Sequence, residues 1–285
     1  MSAAYASLLR HELRERNFQF VRKHQVAAQF SYGSAPVVVY EPDEDRHGNF
    51  ISASYHAICD NEAWRKRLSK VHTSARVSLP KSDRKWCELD SCNSSDALLM
   101  NVFCYPGVAD DPRFLNALGV EQPGTPIFGF KARVPLVDGK FDRTEVDLKL
   151  GDLLIESKLT ESDFQAKSKD VVDRYRDFQD VFQRRDLPKA STSYLGYQLI
   201  RNVLAAHSLG CSFCVVCDAR RPDLIEQWYA VMRCVKIYDL RTRCKVLTWQ
   251  ELSELLPADL AGFLDEKYGI RPGPITPYQF EHQRE

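Results

Sequence analysis

The stretch TEVDLKLGDLLIESK, residues 144–158, decides the fold of this 285-residue chain. Apolar and charged residues alternate from Glu145 to Leu150, which is the period of a strand with one buried face. Gly151 and Asp152 follow as a two-residue turn, with glycine first as a type II′ turn requires. The stretch therefore predicts two antiparallel strands joined by a tight hairpin.

Counting outward from this turn places four charged side chains on one side of the hairpin. Asp147 lies opposite Glu156, and Glu145 lies opposite Lys158. Opposed residues share a face with Cβ atoms roughly 5 Å apart, so the carboxylates of Asp147 and Glu156 repel unless a cation lies between them. Mg²⁺ prefers oxygen ligands and meets this need, with Mn²⁺ as the alternative ion. The predicted metal ligands are Asp147, Glu156 and the carbonyl oxygen of Ser157.

Lys158 is the fourth member of this cluster. It points to the same side as Glu156, because strand residues two apart share a face. Its ammonium would orient or deprotonate an attacking water, or neutralise charge on a phosphate. This set of groups predicts metal-assisted hydrolysis of a phosphodiester bond. A hairpin with a solvated charged face and a Glu145–Lys158 pair would show the same pattern, so the residues alone leave that alternative open.

The spacing of Asp147 and Glu156-Ser157-Lys158 resembles the core of the PD-(D/E)XK nuclease superfamily. Four further segments are similar to a bacterial restriction-endonuclease-like family within it: WCELDS (86–91), SSDALL (94–99), FGFKARVP (128–135) and YLGYQLIRN (194–202). The likeness extends from about residue 50 to residue 269. Val146 stands where the superfamily is named for proline, and many of its members also lack that proline.

The resemblance implies two further catalytic residues. Nucleases of this superfamily often place an acidic residue from the helix before the sheet beside the metal. Glu88 and Asp96 lie in that region, and Glu88 is the predicted residue; a simple surface acid is the alternative. Related nucleases also use a glutamine or tyrosine on a later helix to hold water or the DNA backbone. Gln198 is predicted to do so, with an amide on a solvated helix face as the alternative.

Charge does not predict nucleic-acid binding by the whole chain. The 39 Lys and Arg residues equal the 39 Asp and Glu residues, so the net charge is zero. Any contact with DNA must come from local basic patches, of which residues 65–85 form the densest. A solvated loop would have the same composition. The predicted DNA contacts are Lys81, Arg84, Lys85, Arg201, Arg220 and Arg221.

The nine cysteines, without an apolar signal region at the N-terminus, indicate reduced thiols in a cytoplasmic protein. No run of about 18 apolar residues predicts a membrane span. Cys211, Cys214 and Cys217 are spaced like metal ligands, but the apolar run around them predicts a buried strand. Residues three apart on a strand point to opposite faces, so these thiols are not expected to meet at one ion.

The order of elements predicts the fold class. Strands and helices interleave across 127–250, which indicates an α/β fold with a central mixed β-sheet flanked by helices. We expect an N-terminal region (1–85) packed on the core, a nuclease core (86–270) and a flexible tail (271–285). The individual expectations include helices over 3–28, 61–72, 162–185 and 193–208, a strand over 50–58 and a loop over 107–126.

The predicted function is therefore a Mg²⁺-dependent endonuclease acting on DNA, with a restriction-endonuclease-like core. A homodimer is a further expectation, because cutting both strands of a duplex needs two sites. Two alternatives remain. One is a catalytically silent nucleic-acid-binding protein that keeps the nuclease fold. The other is an RNA nuclease or a DNA exonuclease.

Overall fold

The computed structural model describes residues 2–31, 35–71 and 87–273. Its helices are α1 (Ser2–His24), α2 (Ser52–Asp60), α3 (Glu62–Leu68), α4 (Ser95–Phe103), α5 (Pro112–Leu118), α6 (Lys169–Val172), α7 (Phe178–Val181), α8 (Tyr197–Leu209), α9 (Pro222–Met232), α10 (Tyr238–Thr242), α11 (Trp249–Ser253) and α12 (Ala258–Tyr268). Its strands are β1 (Ala28–Phe30), β2 (Val38–Tyr40), β3 (Pro42–Asp43), β4 (Arg46–His47), β5 (Ile127–Lys131), β6 (Val134–Pro135), β7 (Phe141–Asp142), β8 (Glu145–Leu150), β9 (Leu153–Lys158), β10 (Ala166–Ser168), β11 (Ser193–Leu195), β12 (Ser212–Cys217) and β13 (Cys244–Thr248).

The hairpin predicted at residues 144–158 is present as β8 and β9. Leu150 pairs with Leu153 beside the turn, and the ladder continues in the predicted register as far as the pair of Leu148 with Ile155. Beyond that pair, the Asp147 carboxylate takes the place of a backbone carbonyl. Its Oδ2 atom accepts the N–H of Ser157 at 2.8 Å. The end of the hairpin is therefore fastened by one of the predicted site residues.

The hairpin lies inside a five-stranded sheet with the order β13–β12–β9–β8–β5. Strand β12 is parallel to β9 and β13, whereas β8 is antiparallel to β9 and β5. The sheet is therefore mixed, and helices cover both of its faces. This confirms the predicted α/β fold with a restriction-endonuclease-like core.

Apolar side chains pack against both faces of the sheet. On one face, Leu154 and Phe213 join a cluster that includes residues of α8 and α9. On the other, Ile155 joins a cluster that includes residues of α1, α4 and α12. Every residue of β9 is consequently buried, including the charged Glu156 and Lys158. Buried charges are costly unless they are paired, so the location of this strand requires partners for both.

The cysteines of β12 follow the predicted alternation. Cys211 and Cys217 contribute to the hydrophobic cluster on the α8 side, and Cys214 contributes to the cluster on the opposite side. Burial raises the pKa of the Cys214 thiol to about 12. These three cysteines therefore serve as small core residues on two different faces.

Helix α2 (Ser52–Asp60) occupies most of the segment 50–58 for which a strand was predicted. The buried residues Ser54, Tyr55 and Ile58 follow helical spacing, with two of them four residues apart. The N–H of Ile51 donates to the side chain of Asn101 at 2.9 Å, which satisfies a donor at the start of the helix. The prediction of a strand over 50–58 is therefore wrong.

Residues 107–126 include a helix where a loop was predicted. Asp111 accepts the N–H of Arg113 as an N-cap, Pro112 opens α5, and Gly119 ends it in the left-handed conformation. Proline at the first position and glycine after the last are ordinary helix boundaries. Pro112 and Gly119 therefore mark the two ends of a short helix. The sequence alone would have permitted this interpretation of the two residues.

The long helix predicted over 162–185 is wrong. Gln165 has a φ of +61°, which stops a helix at its first turn. The chain instead forms β10, which pairs with β11, followed by the short helices α6 and α7. Because β11 occupies Ser193–Leu195, Tyr194 is a buried strand residue and does not belong to the predicted polar stripe of a helix.

The first and last helices pack against each other. Leu9 and Leu13 of α1 belong to the same hydrophobic cluster as Leu260 and Leu264 of α12. The Asn17 side chain of α1 donates to the carbonyl of Lys267 at 3.2 Å, 250 residues away in sequence. The N-terminal helix is therefore part of the core that supports the sheet.

Three of the predicted DNA contacts, Lys81, Arg84 and Lys85, lie outside the described residues, as does residue 274 onward of the predicted flexible tail. The predicted region boundary near residue 85 also falls in the undescribed segment 72–86. Along the described ranges, no helix combines the length and apolar character needed to cross a membrane.

Gly151 is the residue on which the hairpin turn depends. It has a φ of +55°, and a Cβ atom at this position would lie 1.6 Å from the carbonyl oxygen of Gln122. We expect Gly151→Ala to lower the free energy of unfolding by about 1–3 kcal/mol or more, because it adds backbone strain and a clash. Urea denaturation measures this change.

The matched control is Gly262→Ala in α12, where a Cβ atom would meet no heavy atom within 4 Å. This substitution should stabilise the protein by about 0.4–1 kcal/mol, because alanine loses less backbone entropy on folding. Equal urea midpoints for the two variants would contradict the role assigned to Gly151.

Candidate active site

Asp147 and Lys158 open into one cleft of about 1050 Å³. Its walls come from the hairpin, from the start of α4, from α8 and from the segment that follows β9. Glu88, Asp96, Glu145, Gln198 and Arg201 also line it. The fold therefore gathers most of the residues that were predicted to be catalytic on one concave surface.

Glu156 lies behind this surface. Its side chain is fully buried, and Lys158 Nζ donates to its Oε1 atom at 2.6 Å. Asn202 Nδ2 donates to Oε2 at 2.7 Å. Asp147, Glu156 and Lys158 are thus neighbours. Glu156 does not line the cleft, but it contacts Lys158, which does.

The pKa shifts show how these groups share charge. Burial and the Glu156 carboxylate raise the pKa of Asp147 well above its usual value, although Lys158 opposes this shift. Glu156 is also buried, but Lys158 and Arg201 hold its pKa below the usual value. Glu156 and Asp147 keep the pKa of Lys158 above its usual value despite burial. Lys158 and Arg201 both pair with Glu156, so Asp147 is the carboxyl group of this cluster that has no ion-pair partner among the described residues.

A second charged group lies beside Asp147. Arg67 donates to Asp96 at 2.6 Å and to Glu145 at 3.2 Å, and Lys70 pairs with Glu88 at 2.8 Å. Asp96 also contributes to the raised pKa of Asp147. Glu88 does line the cleft, as predicted, but Asp96 has the electrostatic link to Asp147 that was expected of Glu88.

Helix α8 supplies the opposite wall of the cleft. Gln198 lines the cleft, and so does the neighbouring residue Tyr197. Asn202, one turn beyond Gln198, contacts Glu156 directly. Sequence reasoning missed Asn202, and its spacing of four residues from Gln198 is the signal that would have found it.

The Arg201 side chain is buried and makes its contacts within the protein. The prediction that it contacts DNA is therefore corrected. Its side chain is 4% exposed and lies 3.9 Å from Glu156 Oε2. It donates to the carbonyl of Glu145 at 2.9 Å and to Asn202 Oδ1 at 2.9 Å. Arg201 therefore fixes Asn202 and the start of β8 from inside the wall.

Arg220 and Arg221 are also not placed to contact a phosphate. Arg220 is held by Asp218 and Glu12, at 2.6 and 2.7 Å. Arg221 is fully buried, where it forms a two-point pair with Asp223 and donates to backbone carbonyls after β9. A guanidinium with these contacts stabilises the fold, so both predictions are corrected.

A family model described as Restriction Endonuclease associating with ARP (REase-ARP) matches residues 7–269. The chain belongs to the REase-ARP family. The match covers the whole sheet and the cleft, and it is consistent with a nuclease-like function. No match was found among curated proteins or solved structures.

The oxygen atoms of the REase-ARP cleft suit a hard divalent cation. Within the described ranges, no three His, Cys, Asp or Glu side chains converge on one point, so side chains alone do not complete a ligand set. Ser157 supplies the missing donor type. A strand residue directs its N–H and C=O to the same neighbour, and the Ser157 N–H points to Asp147, so its carbonyl faces the same side. Burial and the Glu156 carboxylate both raise the pKa of Asp147, and a cation beside the two acids would offset their mutual repulsion.

Asn202 offers a test of how Glu156 is held in the REase-ARP chain. We expect Asn202→Ala to lower the free energy of unfolding by about 1–3 kcal/mol, because a buried carboxylate oxygen loses its donor. Under the proposal, made below, that Glu156 ligates Mg²⁺, the affinity for Mg²⁺ measured by calorimetry should fall roughly 10–100-fold, because Asn202 no longer orients this carboxylate. Asn116→Ala, at an exposed position of α5, is the control and should change neither quantity. Unchanged Mg²⁺ affinity in Asn202→Ala would contradict this role.

Proposed function

We propose that this protein is a Mg²⁺-dependent nuclease that hydrolyses phosphodiester bonds of DNA, with Mn²⁺ as an alternative ion. The observation that carries the proposal is the meeting of Asp147 and Lys158 in one open cleft, with Glu156 in contact with Lys158. The family match supports the nuclease class. The arrangement of two acids and a lysine on a hairpin supports assignment to the PD-(D/E)XK superfamily.

Asp147, Glu156 and the Ser157 carbonyl would hold the cation. When bound, it would supply the positive charge that activates water and stabilises the phosphate as the bond breaks. Without the cation, the Oε1 atom of Glu156 accepts a hydrogen bond from the Lys158 ammonium. Glu156 would hold the cation through this oxygen, and the Lys158 ammonium would then be available to the cleft that it lines.

Lys158 acts as a cation in this mechanism. Its pKa is raised, so the ammonium keeps its proton at neutral pH and is a poor base. It would orient the attacking water and neutralise negative charge on the scissile phosphate. The sequence had allowed Lys158 either to deprotonate the water or to act as a cation, and the raised pKa favours the cation.

Gln198 and Tyr197 face Lys158 from α8 and would position the water or the DNA backbone. Asp96 and Glu88 are paired with Arg67 and Lys70, which offsets part of their charge, although Asp96 still adds to the raised pKa of Asp147. We further propose a cytoplasmic protein that cuts within DNA strands and acts as a homodimer. The family description adds ARP as a protein with which the chain would associate.

The test is a cleavage assay with linear duplex, circular duplex, single-stranded DNA and RNA, each with Mg²⁺, Mn²⁺ or a chelator. Metal-dependent cutting of circular DNA is the expected result. Cleavage of RNA alone, or of DNA ends alone, would replace the DNA endonuclease with one of the two other nuclease types. Binding to DNA without cleavage under any metal would identify a silent nuclease fold and overturn the proposal.

A further inference from the structure

The cleft contains cations that the predicted catalytic groups do not use. Lys131 at the end of β5, Arg143 before β8 and Lys167 in β10 are exposed, and all three line the cleft with Asp147 and Lys158. Within the described ranges, none of them takes part in an ion pair. Together they form what we call the cationic rim: Lys131, Arg143 and Lys167.

Most other charged groups of the cleft are paired or hydrogen-bonded within the protein, and Asp163, an exposed carboxylate among them, accepts the N–H of Gln165 at 2.6 Å. Arg67 and Lys70 are paired with Asp96, Glu145 and Glu88. Glu161 accepts the N–H of Leu159 at 2.7 Å and also accepts a hydrogen bond from the Ser95 hydroxyl. The cationic rim is therefore where positive charge remains available to a ligand.

Arg143 is carried on an anchored segment. Asp142, its neighbour, accepts the N–H of Thr144 at 2.7 Å and the hydroxyl of Tyr175. The Tyr197 hydroxyl lies 3.4 Å from the same carboxylate and 2.8 Å from the Tyr175 hydroxyl. This network ties the segment before β8 to α8, so Arg143 is held at the cleft while its own side chain stays exposed.

Lys167 lies in β10, beside the ring of Tyr197. Its ammonium lies 5.6 Å from the centre of the Tyr197 ring, which is within the range of a cation–π contact. Lys131 is opposite Glu145 in the β5–β8 ladder. The three cations thus come from three separate elements that surround Asp147 and Lys158.

We propose that the cationic rim binds the sugar–phosphate backbone of a DNA strand and places its scissile phosphate beside Asp147 and Lys158. This proposal rests on the proposed function. Separate cations around an open cleft fit a ligand with repeated negative charges, because each phosphate meets one point charge without base recognition. The rim takes the role that the sequence had assigned to Arg201, Arg220 and Arg221.

The experiment uses the full chain carrying Asp147→Asn, so that bound DNA stays intact. Fluorescence anisotropy measures its affinity for a labelled duplex without metal and with Ca²⁺, over a range of KCl concentrations. Adding Lys131→Gln, Arg143→Gln and Lys167→Gln together should weaken binding roughly tenfold or more. The slope of log affinity against log salt should fall by about three, one for each lost phosphate contact.

The matched control replaces two lysines and one arginine that lie away from the cleft: Lys23→Gln, Lys236→Gln and Arg113→Gln. Their side chains are exposed, and this triple variant should keep the parent affinity and slope. Thermal unfolding of both triple variants should match the parent. An unchanged affinity and slope in the rim variant would overturn the rim and leave the nuclease proposal standing.

Two other results are distinguishable from that one. A rim variant that loses affinity for labelled RNA, but not for DNA, would overturn DNA as the ligand. A parent that binds no nucleic acid, together with a wild-type chain that cleaves none, would overturn the rim and the proposed function alike.

Discussion

Asp147→Asn is expected to lower the rate of DNA cleavage on the order of 10³-fold while making the metal-free protein more stable. The loss of activity follows from the loss of a charged oxygen ligand. The gain in stability follows from the raised pKa of Asp147, because burial and then the Glu156 carboxylate disfavour its charge. Each kcal/mol of relieved repulsion should raise the melting temperature by about 2–4 °C.

The direction of the pH dependence tests the same point. A carboxyl whose pKa is raised on folding binds its proton in the folded chain before it does in the unfolded chain. Between the usual aspartate pKa and the raised pKa of Asp147, stability of the metal-free protein should therefore fall as pH rises. Asp147→Asn should remove this slope. Thermal melts over pH, with and without Mg²⁺, measure it.

Asp45→Asn is the control, because the side chain of Asp45 is 75% exposed. It should change neither the cleavage rate nor the pH dependence of melting. An Asp147→Asn variant that cuts DNA at the wild-type rate would remove Asp147 from the mechanism. A variant that melts below wild type at every pH would show that the Asp147 charge is not repelled.

Lys158→Met should have a large effect on both activity and stability. The substitution leaves Glu156 buried without the ammonium that now lies 2.6 Å away. Breaking a buried ion pair by removing one partner costs about 3–5 kcal/mol. Cleavage should fall on the order of 10²–10³-fold, because the phosphate loses a stabilising cation.

A second substitution separates the two effects. Glu156→Gln, added to Lys158→Met, removes the unpaired charge and should restore most of the stability without restoring cleavage. Urea denaturation and the plasmid assay measure the two quantities. Lys140→Met is the control, since Lys140 is 77% exposed. Wild-type stability in the single Lys158→Met variant would show that the Glu156–Lys158 contact does not form.

The centre of the fold could be predicted from the sequence because its signals are local. The turn at Gly151 fixes the register, and the register decides which side chains of the hairpin are neighbours. The cap residues Asn61, Ser94 and Thr248 accept backbone N–H groups as their helix patterns indicate. In each case, the determining contact spans only a few residues.

The remainder of the site depends on contacts between distant segments. Asn202 is 46 residues from Glu156, and no short pattern links the two. The burial of Arg201 likewise depends on the start of β8, and that of Arg221 depends on the segment after β9. Both arginines are distant in sequence from these contacts. A basic residue in the sequence indicates charge, but only the fold shows whether that charge is already used within the protein.

The predicted helix over 162–185 failed for a related reason. Its apolar spacing was correct for burial, since Tyr175, Phe178 and Phe182 are all in the core. The spacing did not reveal that Gln165 adopts a positive φ or that β10 pairs with a strand some 27 residues later. Tertiary pairing overrode a favourable local pattern.

The contact between α1 and α12 has a consequence for synthesis of the chain on the ribosome. Helix α1 is synthesised before α12, whose residues Leu260 and Leu264 share its apolar cluster and follow about 250 positions later. Nascent chains therefore leave part of the Leu9–Leu13 surface uncovered until α12 has been synthesised, which favours slow, late folding. A stalled or truncated product that lacks α12 should consequently aggregate, or be degraded, instead of persisting as a partial enzyme.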